Sequence, residues 1–288
     1  GSCNALSKLR ATQRDLPSTR PTRGKGRTGA AKNGTNRVSQ SRMSVRTPRP
    51  SKPEQRSAAD FIPPDPELVA PPLNRTTIST LLDRESFLLS GTEPIQTGVT
   101  PGTMDAKRAS LIRGKVLDQN GAPLPGIAVI VHGHPEEGGT RSRADGEYDL
   151  LVNGGGPVTI ELSAEGYLPA QRTVQAKWNE GVASPDVVMT RVAPNTSTVS
   201  LTAPSVQVAV GDPVTDQDGT RQARLLFDPG TTAQMVMPDG TTEPLDTLSV
   251  HITEFTVGPM GPKAMPGELP PTSGYTYAAE FTSDEAEA

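Results

Sequence analysis

The sequence predicts an all-β chain in which two small β-sandwich domains in tandem follow a disordered basic N-terminal leader and a short helix. From residue 111 onward, apolar side chains recur at every second position, which is the period of a strand with one buried face. Turn residues separate these runs at intervals of about 8–12 residues, as in sandwiches and barrels. Hydrophobic residues make up 33% of the chain and aromatic residues 3%, so each core must be small and aliphatic.

Residues 1–75 are predicted to be a disordered basic and proline-rich leader. Residues 1–56 hold 14 Lys and Arg against two acidic residues, whereas the remaining 232 residues hold 14 basic and 30 acidic ones. Large apolar residues are few in the leader, so it cannot bury enough surface to offset its conformational entropy. Residues 61–73 carry five prolines and are typical of an extended spacer. Because the leader lacks interleaved aromatics, we expect a solvated tail with no specific nucleic-acid partner. The alternative is a tail that binds nucleic acid or anionic lipid through its charge.

Residues 76–110 are predicted to be a linker that contains the short helix. Apolar residues within 76–90 follow helical spacing, and Gly91 is placed to end the helix. These residues are Ile78, Leu81, Leu82, Leu88 and Leu89. Residues 91–110 return to Gly, Pro and Thr, which favour irregular structure.

Residues 111–193 are predicted to form the first β-sandwich. Asn-Gly at 120–121 and Asp-Gly at 145–146 predict hairpin turns, since glycine readily adopts positive φ. Gly-Gly-Gly at 154–156 is also interpreted as a turn, because it lacks the Gly-Lys-Ser/Thr ending of a phosphate loop. The residues predicted to share the buried faces are Ile112 and Val116, then Ile127, Val129 and Val131, then Tyr148, Leu150 and Val152, then Val158, Ile160 and Leu162.

Residues 194–288 are predicted to form a second β-sandwich-like domain, truncated at its C-terminal end. Asp-Gly at 218–219 and at 239–240 predicts further turns. The chain stops in an acidic stretch directly after the last predicted strand, which is typical of a boundary inside a longer protein. The residues predicted to share faces are Val206, Val208 and Val210, then Ala223, Leu225 and Phe227, then Leu248, Val250 and Ile252, then Tyr275, Tyr277, Ala279 and Phe281.

Several stretches between residues 111 and 190 match a known pattern in order and spacing. They are GKVLD at 114–118, GAPLPG at 121–126, VIV at 129–131, RADGEYDL at 143–150 and EGY at 165–167. This region resembles the carboxypeptidase regulatory-like domain, a transthyretin-like β-sandwich. In such a small core, Tyr148 would supply a large buried ring.

A longer set of stretches extends over about residues 76–288. They are GTEPIQTGV at 91–99, HPE at 134–136, VNGGGP at 152–157, GYLPAQR at 166–172 and PPTSGYTY at 270–277. This segment resembles the region upstream of the repeats in bacterial RHS/YD-repeat proteins. The resemblance implies a secreted or cell-surface bacterial protein, whose partner is a downstream RHS/YD-repeat shell of the same polypeptide that can enclose a toxin. The chain itself has no tyrosine-aspartate repeat array, so neither shell nor toxin activity is carried over to it.

His132, His134 and Glu136 are the candidate metal ligands. Two histidines spaced two apart on a strand share a face and suit zinc. Gly133 and Pro135 are expected to end the strand at this point, so the alternative is a polar turn without metal. The acidic stretch GDPVTDQDG at 211–219 lacks the closing glutamate of an EF-hand loop and is interpreted as a solvated turn. No cofactor is predicted.

Trp178, Asn179 and Glu180 are the candidate ligand-binding residues. Trp178 is the sole tryptophan and falls in a predicted loop. An exposed indole is a large, rigid contact surface with a polar edge. A sugar-binding platform is therefore one interpretation of this loop.

Cys3 is the single cysteine, so the chain can form neither an internal disulfide nor a cysteine-based zinc site. Its position after Gly-Ser fits the end of a lipoprotein cleavage motif, which makes Cys3 a candidate for lipidation; the alternative is an ordinary thiol. No run of about 18 apolar residues occurs, so no transmembrane segment is predicted. The chain begins at Gly1 rather than Met, which is typical of a fragment or a processed product.

The sequence predicts that the chain is not an enzyme. It has no Gly-x-Ser-x-Gly elbow, and its three histidines lack a neighbouring nucleophile and second base. The predicted function is a non-enzymatic structural or docking region of a secreted or cell-surface RHS-type protein, acting as a spacer before the downstream β-shell. The alternative is a carbohydrate-binding or adhesin module whose partner is a cell-surface glycan.

Overall fold

A computed structural model describes residues 61–72, 76–217, 219–237, 239–255, 257, 260–268 and 277–287. Strands dominate these residues and their helices are short, so the all-β prediction is confirmed. Most of the predicted basic leader lies outside the described residues. The leader's described part contains helix α1, Pro66–Val69, which the Asp65 carboxylate caps at its first turn.

The first β unit consists of strands β1 to β8 in two sheets. One sheet has the order β4-β1-β7, with β8 also pairing in parallel with β1. The other has the order β3-β2-β5-β6 and is antiparallel throughout. The strands are β1 Ala109–Leu117, β2 Ala128–Val131, β3 Gly139–Arg141, β4 Glu147–Asn153, β5 Gly156–Ser163, β6 Ala170–Ala176, β7 Gly181–Ala183 and β8 Val187–Val188.

The core of the first unit lies between its two sheets, and the predicted apolar faces line it. Ile112, Tyr148, Leu150, Ile160 and Leu162 are among the fully buried members. The Tyr148 ring fits because its partner on β1 is Gly114. A Cβ at Gly114 would lie 2.3 Å from the Tyr148 hydroxyl oxygen, so this strand position admits no side chain.

The predicted hairpin at 145–146 is wrong. The tight turn is present, since the Gly146 N–H donates to the Arg143 carbonyl at 2.9 Å and Gly146 has a φ of 79°. However, β3 before the turn belongs to one sheet and β4 after it belongs to the other. The glycine turn at 154–156 similarly joins β4 to β5. Both turns therefore carry the chain between the sheets, because local turn geometry does not fix which strands pair.

The outer face of β1 and β4 is buried as well. Helix α2, Leu81–Glu85, and a 3₁₀ helix, Ser86–Leu89, contribute Leu81 and Leu88 to an apolar cluster with Leu111 and Leu151. Thr80 and Asp83 form a capping box that begins α2. The helix predicted over 76–90 is therefore shorter than expected, and its role is to cover this second face.

The second β unit consists of strands β9 to β17. Its largest sheet has the order β17-β16-β9, and three two-stranded sheets pair β10 with β13, β11 with β12, and β14 with β15. Helix α3, Asp284–Glu287, follows β17. The strands are β9 Thr196–Ser200, β10 Gln207–Val210, β11 Val214–Asp216, β12 Gly219–Arg221, β13 Arg224–Phe227, β14 Ala233–Val236, β15 Thr242–Leu245, β16 Thr247–Glu254 and β17 Ala279–Ser283.

The buried face of β10 is the opposite of the predicted one. Val206 and Val208 are 46% and 45% exposed, whereas Ala209 is fully buried. Ala209 pairs with Leu225 of β13, and both side chains belong to the core of the second unit. The predicted faces with Leu225 and Phe227 and with Leu248, Val250 and Ile252 do line this core. Of the last predicted face, Ala279 and Phe281 pack against the core, Tyr277 is 40% exposed, and Tyr275 lies outside the described residues. Alternation groups residues by face, but only packing decides which face is covered.

Candidate docking site between the two β units

Residues 260–266 come after β16 in the chain but lie against the first β unit; we call them the docked segment. They include a 3₁₀ helix, Gly261–Lys263. Ala264 is 3% exposed and shares an apolar cluster with Leu117 and Val188, against which Met260 also packs. The docked segment therefore buries apolar surface on β1 and β8.

Arg172 of β6 holds the docked segment through its guanidinium group. The residue is 4% exposed. Its Nη1 donates to the Met265 carbonyl at 3.0 Å, and its Nη2 donates to the Lys263 carbonyl at 2.8 Å. Burial lowers the pKa of this guanidinium. Nη1 also donates to the neighbouring Gln171 carbonyl at 2.6 Å. Because a buried cation needs compensating acceptors, the two carbonyls of the docked segment help Arg172 to lie in this position.

Two further contacts hold the docked segment. The Gln171 N–H donates to the Pro266 carbonyl at 2.7 Å, along the open edge of β6. The Lys263 ammonium contacts the Asp186 carboxylate at 2.8 Å, and both side chains are partly exposed. We call Leu117, Gln171, Arg172, Asp186 and Val188 the docking site; they combine an apolar floor, a buried donor, a strand edge and a surface charge.

Sequence reasoning missed this site, although a signal was present. In β6 the buried positions are Ala170, Arg172, Val174 and Ala176, which alternate with more exposed residues. A charged residue on an otherwise apolar face indicates a buried partner, since buried charges are paired or hydrogen-bonded. The pattern singles out Arg172, but it does not identify carbonyls some ninety residues further along as the acceptors.

A small cleft of about 190 Å³ lies next to the joint between the two units. Thr190, Asp212, Ile252, Glu254 and Tyr277 are among its lining residues. The Thr190 side chain is buried. A cleft of this size is too small for a drug-sized ligand.

The acidic turn beside the cleft is neutralised by an arginine. Arg221 makes a bidentate contact with the Asp216 carboxylate, with both N–O distances at 2.8 Å, and its Nε contacts Glu254 at 2.6 Å. The hydrogen bonds that Arg221 donates to the Asp216 carboxylate raise the pKa of Arg221. Asp212 instead accepts from the Asn195 side chain. The carboxylates nearest to a calcium ligand set thus already have partners, and Asp218 lies outside the described residues.

The candidate metal ligands are placed in two separate pairs. His132 Nδ1 lies 2.9 Å from Glu161 of β5, and His134 Nδ1 lies 2.9 Å from Glu136. The hydrogen bond with Glu136 raises the pKa of His134. Within the part of the chain that the structure describes, no three His, Cys, Asp or Glu side chains are grouped to hold a metal ion. Metal binding here stays a prediction.

All three residues of the candidate ligand-binding loop are exposed, and each also makes a hydrogen bond within the chain. Trp178 is 59% exposed, and its indole N–H donates to the Gly154 carbonyl at 3.0 Å. Asn179 has a φ of 55° and bonds through its amide to the Leu81 N–H and the Lys107 carbonyl. The Glu180 carbonyl accepts from the Ser110 hydroxyl. Trp178 offers an apolar surface to a ligand and the exposed Glu180 carboxylate lies near it in the chain; ligand binding stays a prediction.

Cys3, the predicted lipidation site, lies outside the described residues. Among the helices of the residues covered by the structure, none has the length and apolar character needed to cross a membrane.

The first β unit is similar to a known protein family. Residues 104–189 match the Teneurin TTR-like domain. The match begins just before β1 and ends just after β8, so it spans the two-sheet unit that contains the docking site. The matched domain is not known as enzymatic.

Teneurins from several animals are similar to part of this chain. Teneurin-1 of Gallus gallus is 38% identical over 123 residues, which is 42% of this chain. Teneurin-m of Drosophila melanogaster is 36% identical over 111 residues, which is 38% of this chain. Each alignment covers 4% of the teneurin's own length, so the chain spans a small part of these relatives.

The prediction that this chain comes from a bacterial RHS/YD-repeat protein is therefore wrong. The matching family model is a teneurin domain and the relatives are animal teneurins, so the RHS assignment and the expected toxin association are withdrawn. The expected bacterial origin and the lipid anchor at Cys3 gain no support from these relatives. The predicted transthyretin-like sandwich corresponds to the teneurin domain.

Solved structures align only weakly with the chain. A 3-chlorocatechol 1,2-dioxygenase from Rhodococcus opacus 1CP has a TM-score of 0.25 and 13% identity, over 34% of this chain and 65% of the dioxygenase. An alignment at this level bears on neither the fold nor the function.

Proposed function

We propose that this chain is a non-enzymatic structural region of a cell-surface protein, in which the docked segment holds the second β unit in a fixed orientation on the first. Teneurins are cell-surface proteins, and the matched domain has no known enzymatic role. The observation that carries the proposal is the buried Arg172, which donates to carbonyls 91 and 93 residues further along the chain.

Three contacts of different kinds make the docking directional. The guanidinium needs both carbonyls at a fixed separation, since its donors form a rigid fork. The Gln171 N–H and the Pro266 carbonyl then set the position along β6, and the ion pair of Lys263 with Asp186 holds the middle of the docked segment. The apolar cluster around Ala264 contributes burial, while the polar contacts specify one arrangement.

The test measures the distance between the two β units. The full chain carries Cys3→Ser and spin labels at exposed positions in each unit, Glu165→Cys and Arg224→Cys. Double electron–electron resonance between the two spin labels should give one narrow distance distribution. Arg172→Leu should broaden it severalfold, because the carbonyls of the docked segment lose their buried donor.

The matched control is Arg141→Leu. Arg141 also donates to a main-chain carbonyl, that of Gly126 at 2.7 Å, but entirely within the first unit. The Arg141→Leu variant should leave the distance distribution between the spin labels narrow. If Arg172→Leu folds and shows the same narrow distribution as the control, the docked segment does not orient the units and the proposal is wrong.

A second candidate function is glycan binding at Trp178. The supporting observation is that the indole is 59% exposed while its N–H is held by the Gly154 carbonyl, which makes it a fixed aromatic surface. A glycan array probed with the wild-type chain and with Trp178→Ala tests this. Binding that the substitution abolishes supports the candidate, and an array on which the wild-type chain shows no signal removes it.

A further inference from the structure

The junction between the two β units contains an N-glycosylation sequon. Asn195-Thr196-Ser197 has the Asn-x-Ser/Thr pattern, with a residue other than proline in the middle. The same pattern occurs at 33–35 and 74–76. Such a pattern receives a glycan only where the asparagine is exposed in a protein of the secretory pathway. The structure decides the first of these conditions for Asn195.

Asn195 is exposed and lies immediately before β9. Pro194 and Thr196 on either side are exposed as well. The Asn195 side-chain nitrogen donates to the Asp212 carboxylate. A glycosylated asparagine keeps one N–H on this nitrogen, so a sugar can be attached while the contact with Asp212 remains.

Ser197 has the hydroxyl that the sequon requires. In the folded chain this hydroxyl accepts from the Val210 N–H at 2.9 Å and donates to the Val210 carbonyl at 3.2 Å. The hydroxyl is therefore occupied once β9 and β10 are in place. Transfer of a glycan must precede the folding of these two strands.

We infer that Asn195 carries an N-linked glycan at the joint between the two β units, an inference that rests on the proposed cell-surface function. The sugar donor is a lipid-linked diphosphate oligosaccharide. Its anomeric C1–O bond breaks, a C1–Nδ2 bond forms on Asn195, the side-chain nitrogen loses one proton, and the lipid diphosphate leaves. No oxidant or reductant is needed.

The position of Asn195 places the glycan at the joint between the two β units. Asp212, which binds the Asn195 amide, also lines the small cleft together with Ala193. A sugar attached to Asn195 stands at the rim of this cleft and is bulky and hydrated. It leaves the docked segment in place, because no contact of that segment involves Asn195.

The test uses the full chain, secreted from cultured animal cells behind an added signal peptide. The tryptic peptide 192–221 should be recovered as a glycopeptide, and enzymatic deglycosylation should convert Asn195 to aspartate. Asn195→Gln and Ser197→Ala should abolish the modification. Thr196→Ala, which keeps the sequon, and Ser197→Thr, which keeps the hydroxyl, should retain it.

Recovery of peptide 192–221 without sugar from the secreted wild-type chain would overturn the inference. Glycans at Asn33 or Asn74 in the same sample would show that the transfer machinery was reached, so that the failure belongs to Asn195 alone. Surface labelling of the natural protein on its own cells tests the proposed location separately. Its absence from the surface would count against the proposed function and not against the site.

Discussion

The side-chain amide of Gln96 pairs with the backbone of Leu151 as though it were a neighbouring strand. The Leu151 N–H donates to Gln96 Oε1 at 2.7 Å, and Gln96 Nε2 donates to the Leu151 carbonyl at 2.8 Å. The adjacent residue, Thr97, forms a two-way backbone bridge with Gly139 of β3. Residues 96–97 thus cover one edge of each sheet in the first unit, at β4 and at β3, where open edges invite pairing with other chains.

Gln96→Ala should destabilise the first unit by about 3 kcal/mol, because it leaves buried donors and acceptors without partners. The Gln96 amide is 1% exposed and also donates to the Glu137 carbonyl. Chemical denaturation followed by circular dichroism measures the loss. Gln175→Ala, at an exposed glutamine of β6, is the control and should change stability by less than about 0.5 kcal/mol. Equal effects of the two substitutions would show that the edge contact contributes nothing.

Gly114→Ala should cost about 2–3 kcal/mol through overpacking. The added methyl would lie 2.3 Å from the Tyr148 hydroxyl oxygen and 2.5 Å from the ring carbon that bears it. Gly156→Ala is the matched strand control, since a Cβ there meets nothing within 4 Å. A double-mutant cycle with Tyr148→Leu checks the cause, because removing the ring should recover most of the loss. Additive effects in that cycle would contradict a clash with Tyr148.

Glu137→Gln should raise the melting temperature at pH 7. Burial raises the pKa of Glu137, whose carboxylate accepts from the Asn153 side chain at 3.1 Å. A raised folded-state pKa gives stability that is full below the unfolded value near 4.3 and is lost as pH rises through the folded value. The glutamine keeps the hydrogen-bond acceptor and removes the charge. The melting temperature of the variant should therefore rise relative to that of the wild type as pH rises from 4 to 7.

The neighbouring Glu136→Gln should show the opposite pH dependence: its melting temperature should fall relative to that of the wild type as pH rises. The hydrogen bond from His134 lowers the pKa of Glu136, so its contribution is present above the unfolded pKa and lost as pH falls through the folded one. Melting temperatures of both variants between pH 3 and pH 8 distinguish the two cases. Parallel pH profiles for Glu136→Gln and Glu137→Gln would refute this assignment of opposite signs.

Asn179→Ala should destabilise the chain by about 1–2 kcal/mol and loosen α2. The residue has a φ of 55°, which disfavours alanine, and its side chain bonds to the Leu81 N–H at the start of α2. Asn179→Gly removes the same side chain but tolerates the backbone conformation, so it should cost less. Hydrogen exchange at Leu81 and Leu82 should become faster in both variants. Unchanged exchange there would exclude a role for Asn179 in fixing α2.

The period-2 alternation determined much of the first unit. Ile112, Val129, Leu150 and Ile160 share the buried faces that the sequence predicts, since a strand's pleat alone places alternate residues together. The stretches between 111 and 190 also indicated a transthyretin-like sandwich, although they pointed to the wrong family. Asp-Gly at 239–240 lies in a true hairpin between β14 and β15.

Tertiary structure alone decided which strands pair, which faces are covered and where distant segments meet. The turn at 145–146 joins two sheets, and Ala209 rather than Val208 faces the second core. Arg172 meets Lys263 and Met265 across more than ninety residues, and Gln96 reaches Leu151 across 55. The physical reason is that alternation and turn chemistry are local, whereas pairing and burial depend on the free energy of contacts between segments that the sequence keeps apart.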